Sequence, residues 1–244
     1  MSELKSRLDA EYEARNCEGE LCELSRPDPL IVARKYKDEH IALACALFAY
    51  GNASQIVKFL SSLDFGADDV EAAFGGKYYR FQTPSDTVRF FKALREFQKE
   101  GGVKEYFLRG YQKYGSVLEG LHYAIEKLNK ILKPDTQGLN FLVGSEDIKM
   151  TGSPLKRWNM YLRWMVRKDF LDIGLWEKDV SRADLLLPLD THTFNVSKRL
   201  GLLERKSYDL KSAILITEKL REFDPTDPIK YDFALYRIGQ EKLG

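Results

Sequence analysis

Apolar residues return along this chain at helical spacing, in short blocks that open on Ser, Thr or Asp, often followed by Pro, and close on Gly. Residues 2–15 read as a short amphipathic helix through Leu4, Leu8 and Tyr12, and Asp28-Pro29 opens a weaker one. Residues 38–50 are almost wholly apolar, which predicts a buried helix, and Gly51-Asn52 ends it. The rhythm resumes over 53–63 through Ile56, Phe59, Leu60 and Leu63. Thr83-Pro84 opens a helix carrying Val88, Phe91, Leu94 and Phe97 that stops at Gly101-Gly102. Ser116 opens another, through Leu118, Leu121, Ile125, Leu128 and Leu132, ended by Pro134. Ser153-Pro154, Asp190, Asp209 and Asp227-Pro228 open four more. Alternation of period two is nearly absent, and Lys77–Phe81 is the one candidate strand. The expected fold is all-α, with about ten helices.

No repeat or low-complexity tract interrupts this pattern. The longer connections are 64–82 and 133–152, the second being the better candidate for a lobe boundary. Two lobes are expected: residues 1–37 with 170–244, and a central lobe over 38–169 that ends in a basic helix.

Composition narrows the class. With 244 residues, 44% hydrophobic and 31% charged, the chain is neither a disordered tail nor a collagen-like fibre. Lys and Arg number 38 against 37 Asp and Glu, so any partner preference must come from local patches. The longest apolar run, Ile41–Tyr50, is ten residues, well short of the roughly 20 that a membrane helix needs. Residues 1–16 mix charges with scattered apolar positions, unlike a signal peptide. Three cysteines, Cys17, Cys22 and Cys45, suit a reducing compartment and are too few for a four-cysteine cluster. A cytoplasmic monomer with no membrane association is expected, associated with the bacterial nucleoid if it acts on DNA.

Residues 151–168, TGSPLKRWNMYLRWMVRK, carry the densest chemistry. Ser153 suits an N-cap and Pro154 the first helical position, placing Lys156 in the first turn. At about 100° per residue, Lys156, Arg163 and Arg167 fall within roughly 40° of one another, opposite Trp158, Tyr161, Leu162, Met165 and Val166. Met160 and Trp164 lie on or beside the cationic face. Such a face is either a solvated surface with extended arginines or an anion-binding one with interleaved aromatics. The helix N-terminus favours a phosphate and, with Arg157 adjacent, disfavours a protonated Lys156, the environment in which a lysine acts as a nucleophile.

In LLLPLDTHTFNVSKRLG, residues 185–201, Asp190 follows an apolar run and begins a helix. It reads as an N-cap whose carboxylate stays ionised when partly buried. A fixed negative charge of that kind also stabilises an oxocarbenium ion developing at a sugar C1′. His192 lies two residues on, but with no other His or Cys at ligand spacing no metal is expected.

Together, Gly152-Ser-Pro-Leu-Lys156-Arg-Trp-Asn-Met-Tyr-Leu and Pro-Leu-Asp190-Thr-His-Thr-Phe-Asn-Val-Ser-Lys-Arg-Leu-Gly resemble the helix-hairpin-helix DNA glycosylases of the endonuclease III superfamily. With Asp-Pro-x-Lys-Tyr-Asp-Phe-Ala-Leu at 227–235, the combination resembles still more closely an uncharacterised bacterial family, taken as a divergent branch of that superfamily. The resemblance implies two helical lobes with a cleft between them, double-stranded DNA with a damaged or abasic site as partner, and no cofactor. It implies Lys156 and Asp190 as catalytic residues, and Arg157, Arg163, Arg167, Ser153 and Asn52 as DNA contacts, Asn52 filling the space of a flipped base. Trp164, Tyr50 and His192 are candidates for the base pocket. The chain departs from the superfamily in three ways: the Leu-Pro-Gly-x-Gly hairpin is absent, 34 residues separate Lys156 from Asp190, and the iron–sulfur cysteines are missing. The expected function is a DNA glycosylase, with or without lyase activity. The alternatives are a non-catalytic nucleic-acid-binding protein of the same fold and a helical protein whose basic helix meets an acidic partner.

Overall fold

Thr83 shows how these helices begin. In the computed structural model, which describes residues 3–17, 19–22 and 27–240, its hydroxyl accepts the Asp86 amide at 3.1 Å while Asp86 accepts the Thr83 amide at 2.9 Å. Two amides that the first turn leaves without helical partners are thereby satisfied. Asp38, Asn52, Asp69, Thr136, Asp190 and Asp209 cap other helices through side-chain oxygens.

The described residues are mostly helical and contain no strand, so the fold is all-α. They divide into two compact units, residues 1–23 with 149–244, and residues 24–148. The unit of the termini begins with α1 (Glu3–Arg15). Ser2 and the side chain of Cys22 lie outside the described residues.

The central unit holds α2 (Leu30–Tyr36), α3 (Glu39–Leu47), α4 (Ala53–Ser61), α5 (Val70–Phe74), α6 (Pro84–Lys99), α7 (Gly102–Tyr114), α8 (Val117–Leu132) and α9 (Gln137–Val143). As its apolar sequence demands, α3 is buried, with Ala42 to Phe48 inaccessible to solvent. Phe48 closes it and packs against Phe59, Phe90 and Phe91 at centroid distances of 5.0, 5.6 and 6.2 Å. Helices α5 and α9 occupy the expected linkers, and α7 starts at Gly101-Gly102, where a stop was expected. Both glycines have positive φ, so the pair that ends α6 also turns the chain into α7. The expected strand at 77–81 is instead a turn: Gln82 donates its amide to the Tyr79 carbonyl at 3.1 Å, and Arg80 sits at φ 52°, which breaks extension.

Helices α7 and α8 meet through glycine. A Cβ on Gly110 would lie 2.3 Å from the Glu119 carbonyl oxygen, a backbone atom that cannot rotate away. Gly110→Ala is therefore expected to push the pair apart and destabilise the protein by about 1–3 kcal/mol, read by urea unfolding.

The unit of the termini continues with α10 (Lys156–Val166), α11 (Thr191–Arg199), α12 (Leu210–Phe223) and α13 (Asp232–Gln240), the last preceded by a short 3-10 turn, Pro228–Tyr231. The basic helix, expected to end the central lobe, thus lies in the unit of the termini. It is buried on every side from Trp158 to Val166. Tyr161 meets Trp176 edge to face at 5.4 Å, and the Trp164 carbonyl accepts the amides of Ile173 and Gly174, both at 3.0 Å. Helix α1 is tied in through Asp9, which accepts the Tyr231 hydroxyl at 2.7 Å.

Candidate active site

Helix α10 starts two residues later than its Ser-Pro signal suggests. Leu155, at φ 53°, is the N-cap, and its carbonyl accepts the first helical bond, from the Asn159 amide at 2.9 Å. Ser153, expected as the cap, instead accepts the Leu155 amide at 3.3 Å, and the buried Asn159 donates its side-chain amide to the Pro154 carbonyl at 3.0 Å. A left-handed leucine is a strained backbone, held here from both sides. Lys156 becomes the first helical residue, still in the first turn.

The second element arrives from the apolar run. Leu185, Leu187 and Leu189 are inaccessible to solvent, and the Leu187 amide donates to the Thr217 hydroxyl of α12 at 3.0 Å. This anchored lead-in delivers Asp190 to the start of α11, where Oδ1 accepts the Thr193 amide at 2.7 Å. Oδ2 lies 3.5 Å from Nζ of Lys156, and the two side chains are 23% and 32% exposed. One carboxylate thus holds a helix with one oxygen and faces an amine with the other, within reach of solvent. Tyr208 stands beside it: its hydroxyl donates to the Leu189 carbonyl at 3.0 Å. Burial and then the Asp190 charge push its phenol pKa up to about 12.

Behind this pair the expected cationic face is turned inward. Arg163 and Arg167 are 5% and 4% exposed. Arg163 Nε donates to Asp172 at 3.1 Å and its NH1 to Asp232 at 2.5 Å. Arg167 binds Asp227 through Nε at 2.9 Å, Asp172 through NH1 at 2.5 Å and Asp169 through NH2 at 3.0 Å. The helical-wheel reading grouped the two arginines correctly, but their assignment as DNA contacts is corrected: four aspartates occupy their donors, and buried ion pairs of this kind do not open to an external phosphate without leaving carboxylates unpaired. Burial pushes the Asp172 carboxyl up to about 6, against the downward pull of both arginines. It also raises Asp232, against the pull of Arg163 and with the Asp190 charge adding to the rise.

The other expected site residues are dispersed. Trp164 has no exposure and is core rather than pocket. His192 packs its ring against Tyr236 at 6.2 Å, and its buried Nε2 abuts Gly239. Arg157 is partly buried beside Lys156, and Ser153 is exposed. In the central unit, Asn52 is an exposed N-cap accepting the Gln55 amide at 3.2 Å. Tyr50 packs in parallel with Phe81 at 5.9 Å and donates its hydroxyl to the Tyr79 carbonyl at 3.2 Å. Among the described residues no group of His, Cys, Asp and Glu could hold a metal, and no helix is long and apolar enough to cross a membrane. Tyr208 and the buried aspartates were missed. The visible signal for the latter is five aspartates in two short segments, DFLD and DPTDPIKYD, of which Lys230 pairs with Asp224 alone among those of its own segment.

Comparison with known proteins adds a family without a chemistry. A family described as "Protein of unknown function (DUF2400)" matches residues 28–241. No curated protein and no solved structure matches the chain.

Proposed function

The chain belongs to the DUF2400 family of proteins of unknown function, and from the geometry of its own residues we propose that it is a DNA base-excision enzyme, a glycosylase with lyase activity, acting on duplex DNA with a damaged or abasic site. The observation that carries this reading is the meeting of Lys156 and Asp190, 3.5 Å apart, each at the first turn of a different helix and each partly exposed. The glycosylase-like architecture implied by the sequence resemblance is part of the proposal.

A damaged nucleotide leaves the base stack and presents its sugar to the pair. As the glycosidic bond breaks, the base departs with the bonding electrons and the charge of Asp190 stabilises the cation developing at C1′. Lys156 Nζ then passes a proton to Asp190 and bonds to C1′ through the lone pair that this frees. Opening of the sugar gives an imine, and loss of a C2′ proton expels the 3′ phosphate. With Arg163 and Arg167 committed to aspartates, phosphate contacts fall to the start of α10, at Ser153, Lys156 and Arg157. The same burial weighs against a purely DNA-binding descendant, which would rest on that cationic face.

The test is incubation with duplex oligonucleotides, each carrying one lesion or an abasic site, with and without borohydride. Base release and a borohydride-dependent covalent adduct are expected on at least one substrate; neither, across the panel, would sink the proposal. Asp190→Asn sharpens it. Asparagine caps a helix about as well as aspartate, and a partly exposed ion pair contributes no more than about 1 kcal/mol. The variant should stay folded by circular dichroism while base release falls about 10²–10³-fold.

A further inference from the structure

A second site lies wholly within the central unit, on the turn between α5 and α6. Tyr78 and Phe81 on this turn are 67% and 50% exposed, and Phe141 of α9 is 40% exposed. Single exposed rings are ordinary, whereas a cluster marks an interaction surface. Phe141 stands edge-on to the parallel pair Tyr50 and Phe81, 4.8 Å from each. The Arg80 guanidinium lies 5.9 Å from the Tyr50 ring and 5.8 Å from the Phe81 ring, in the space that a side chain at Gly51 would fill.

Buried neighbours fix this display. The Tyr79 hydroxyl donates to the Tyr50 carbonyl and the Gln82 side-chain amide to the Gly138 carbonyl, both at 2.8 Å. Between these anchors Arg80 holds a left-handed backbone that arginine seldom adopts, and Tyr78, Arg80 and Phe81 are left exposed. Rings set in place beforehand lose little freedom when a ligand arrives. Charge then narrows the ligand. Residues 50–63 and 75–85 carry Lys58, Lys77 and Arg80 and no acidic residue, and residues 136–145 carry no charge. Asp86, just beyond, is buried, its oxygens accepting the Thr83 amide at 2.9 Å and the Thr136 hydroxyl at 2.8 Å. In a chain with 38 basic and 37 acidic residues, these segments are locally cationic. Aromatic faces among cations suit a ligand that is both flat and anionic, with bases for the rings and phosphates for the cations. A duplex hides its base faces in its own stack, so the ligand is a strand with unpaired bases.

We propose that this turn is a stacking platform for a single nucleic-acid strand, whose bases stack on Tyr78 and Phe81 while Arg80 takes an adjacent phosphate. The site does not depend on the Lys156–Asp190 reading, since binding is read on strands without a lesion and without turnover. The probes are fluorescein-labelled dT12 and rU12, titrated with the full chain at low salt and followed by anisotropy. Saturable binding of at least one is expected, and the tighter of the two identifies the strand. Tyr78→Ala and Phe81→Ala should each weaken it about five- to a hundredfold, the effect of removing one stacked base, whereas Tyr78→Phe keeps the ring and should bind like the wild type. Arg80→Gln should reduce the slope of log affinity against log salt by about 0.7, one phosphate contact. Lys156→Ala should leave binding unchanged. Tyr78 is exposed and outside the ring cluster's packing, so Tyr78→Ala stays folded and carries the test should Phe81→Ala fail to fold. No saturation with either probe, unchanged affinity in Tyr78→Ala, or equal displacement of the strand by a decaglutamate peptide would each overturn the proposal.

Discussion

Replacing Lys156 by alanine is expected to abolish covalent capture of DNA by borohydride, because in the proposed mechanism the nitrogen of the trapped imine is its Nζ. The variant should keep its fold. The start of α10 is set by the Leu155 carbonyl and by Asn159 holding Pro154, and alanine is the best helix former. Lys156→Arg separates charge from nucleophilicity: the guanidinium keeps the positive charge facing Asp190 but does not lose a proton in proteins. It too should fail to trap, while DNA binding survives. If either variant traps as well as the wild type, the amine is not the nucleophile. Loss of trapping with base release intact would instead show that Asp190 activates water for base release and that Lys156 acts only on the abasic product.

Arg167→Ala is expected to have the largest effect on stability, about 3–5 kcal/mol, read by urea unfolding. Removing this guanidinium leaves Asp169, Asp172 and Asp227 facing one another inside the unit of the termini. That is a large part of the 5–15 kcal/mol typical of a whole domain. Arg182→Ala provides the contrast: it is 56% exposed and 4.0 Å from Asp227, and should lose less than about 1 kcal/mol. The penalty should also depend on pH. The Asp172 pKa is raised to about 6, so its contribution to stability is fully present below the ordinary aspartate value near 3.8 and is lost as pH rises through 6. Without Arg167 that pKa rises further, so Arg167→Ala should be less destabilising at pH 5 than at pH 8. Equal penalties at the two pH values would show that Asp172 is ionised throughout.

Helices that open on a side-chain cap were legible in the sequence, and Thr83, Asp190 and Asp209 mark their elements closely. The start of α7 was not, because Gly101 offers no side-chain cap and a glycine pair usually signals a stop. Helices α5 and α9 had their caps, Asp69 and Thr136, but span too few turns for periodicity to register. For the site, helical spacing shows which residues share a face and says nothing of what covers it. Arg163 and Arg167 were grouped from residues 151–168 alone, while Asp227 and Asp232 arrive some sixty residues later. Lys156 and Asp190 could be paired only by resemblance, since no local rule links positions on separate helices.

The discontinuity of one unit has a consequence for biosynthesis. Residues 24–148 emerge from the ribosome as an uninterrupted folding unit, whereas α1 leaves the exit tunnel long before Tyr231, whose hydroxyl its Asp9 receives. The nascent α1 must therefore wait, without its eventual partners, while the whole intervening stretch is translated. Slowing elongation after residue 148 should lengthen the interval in which that early segment is open to proteases or chaperones, while the earlier-finished unit is already protected.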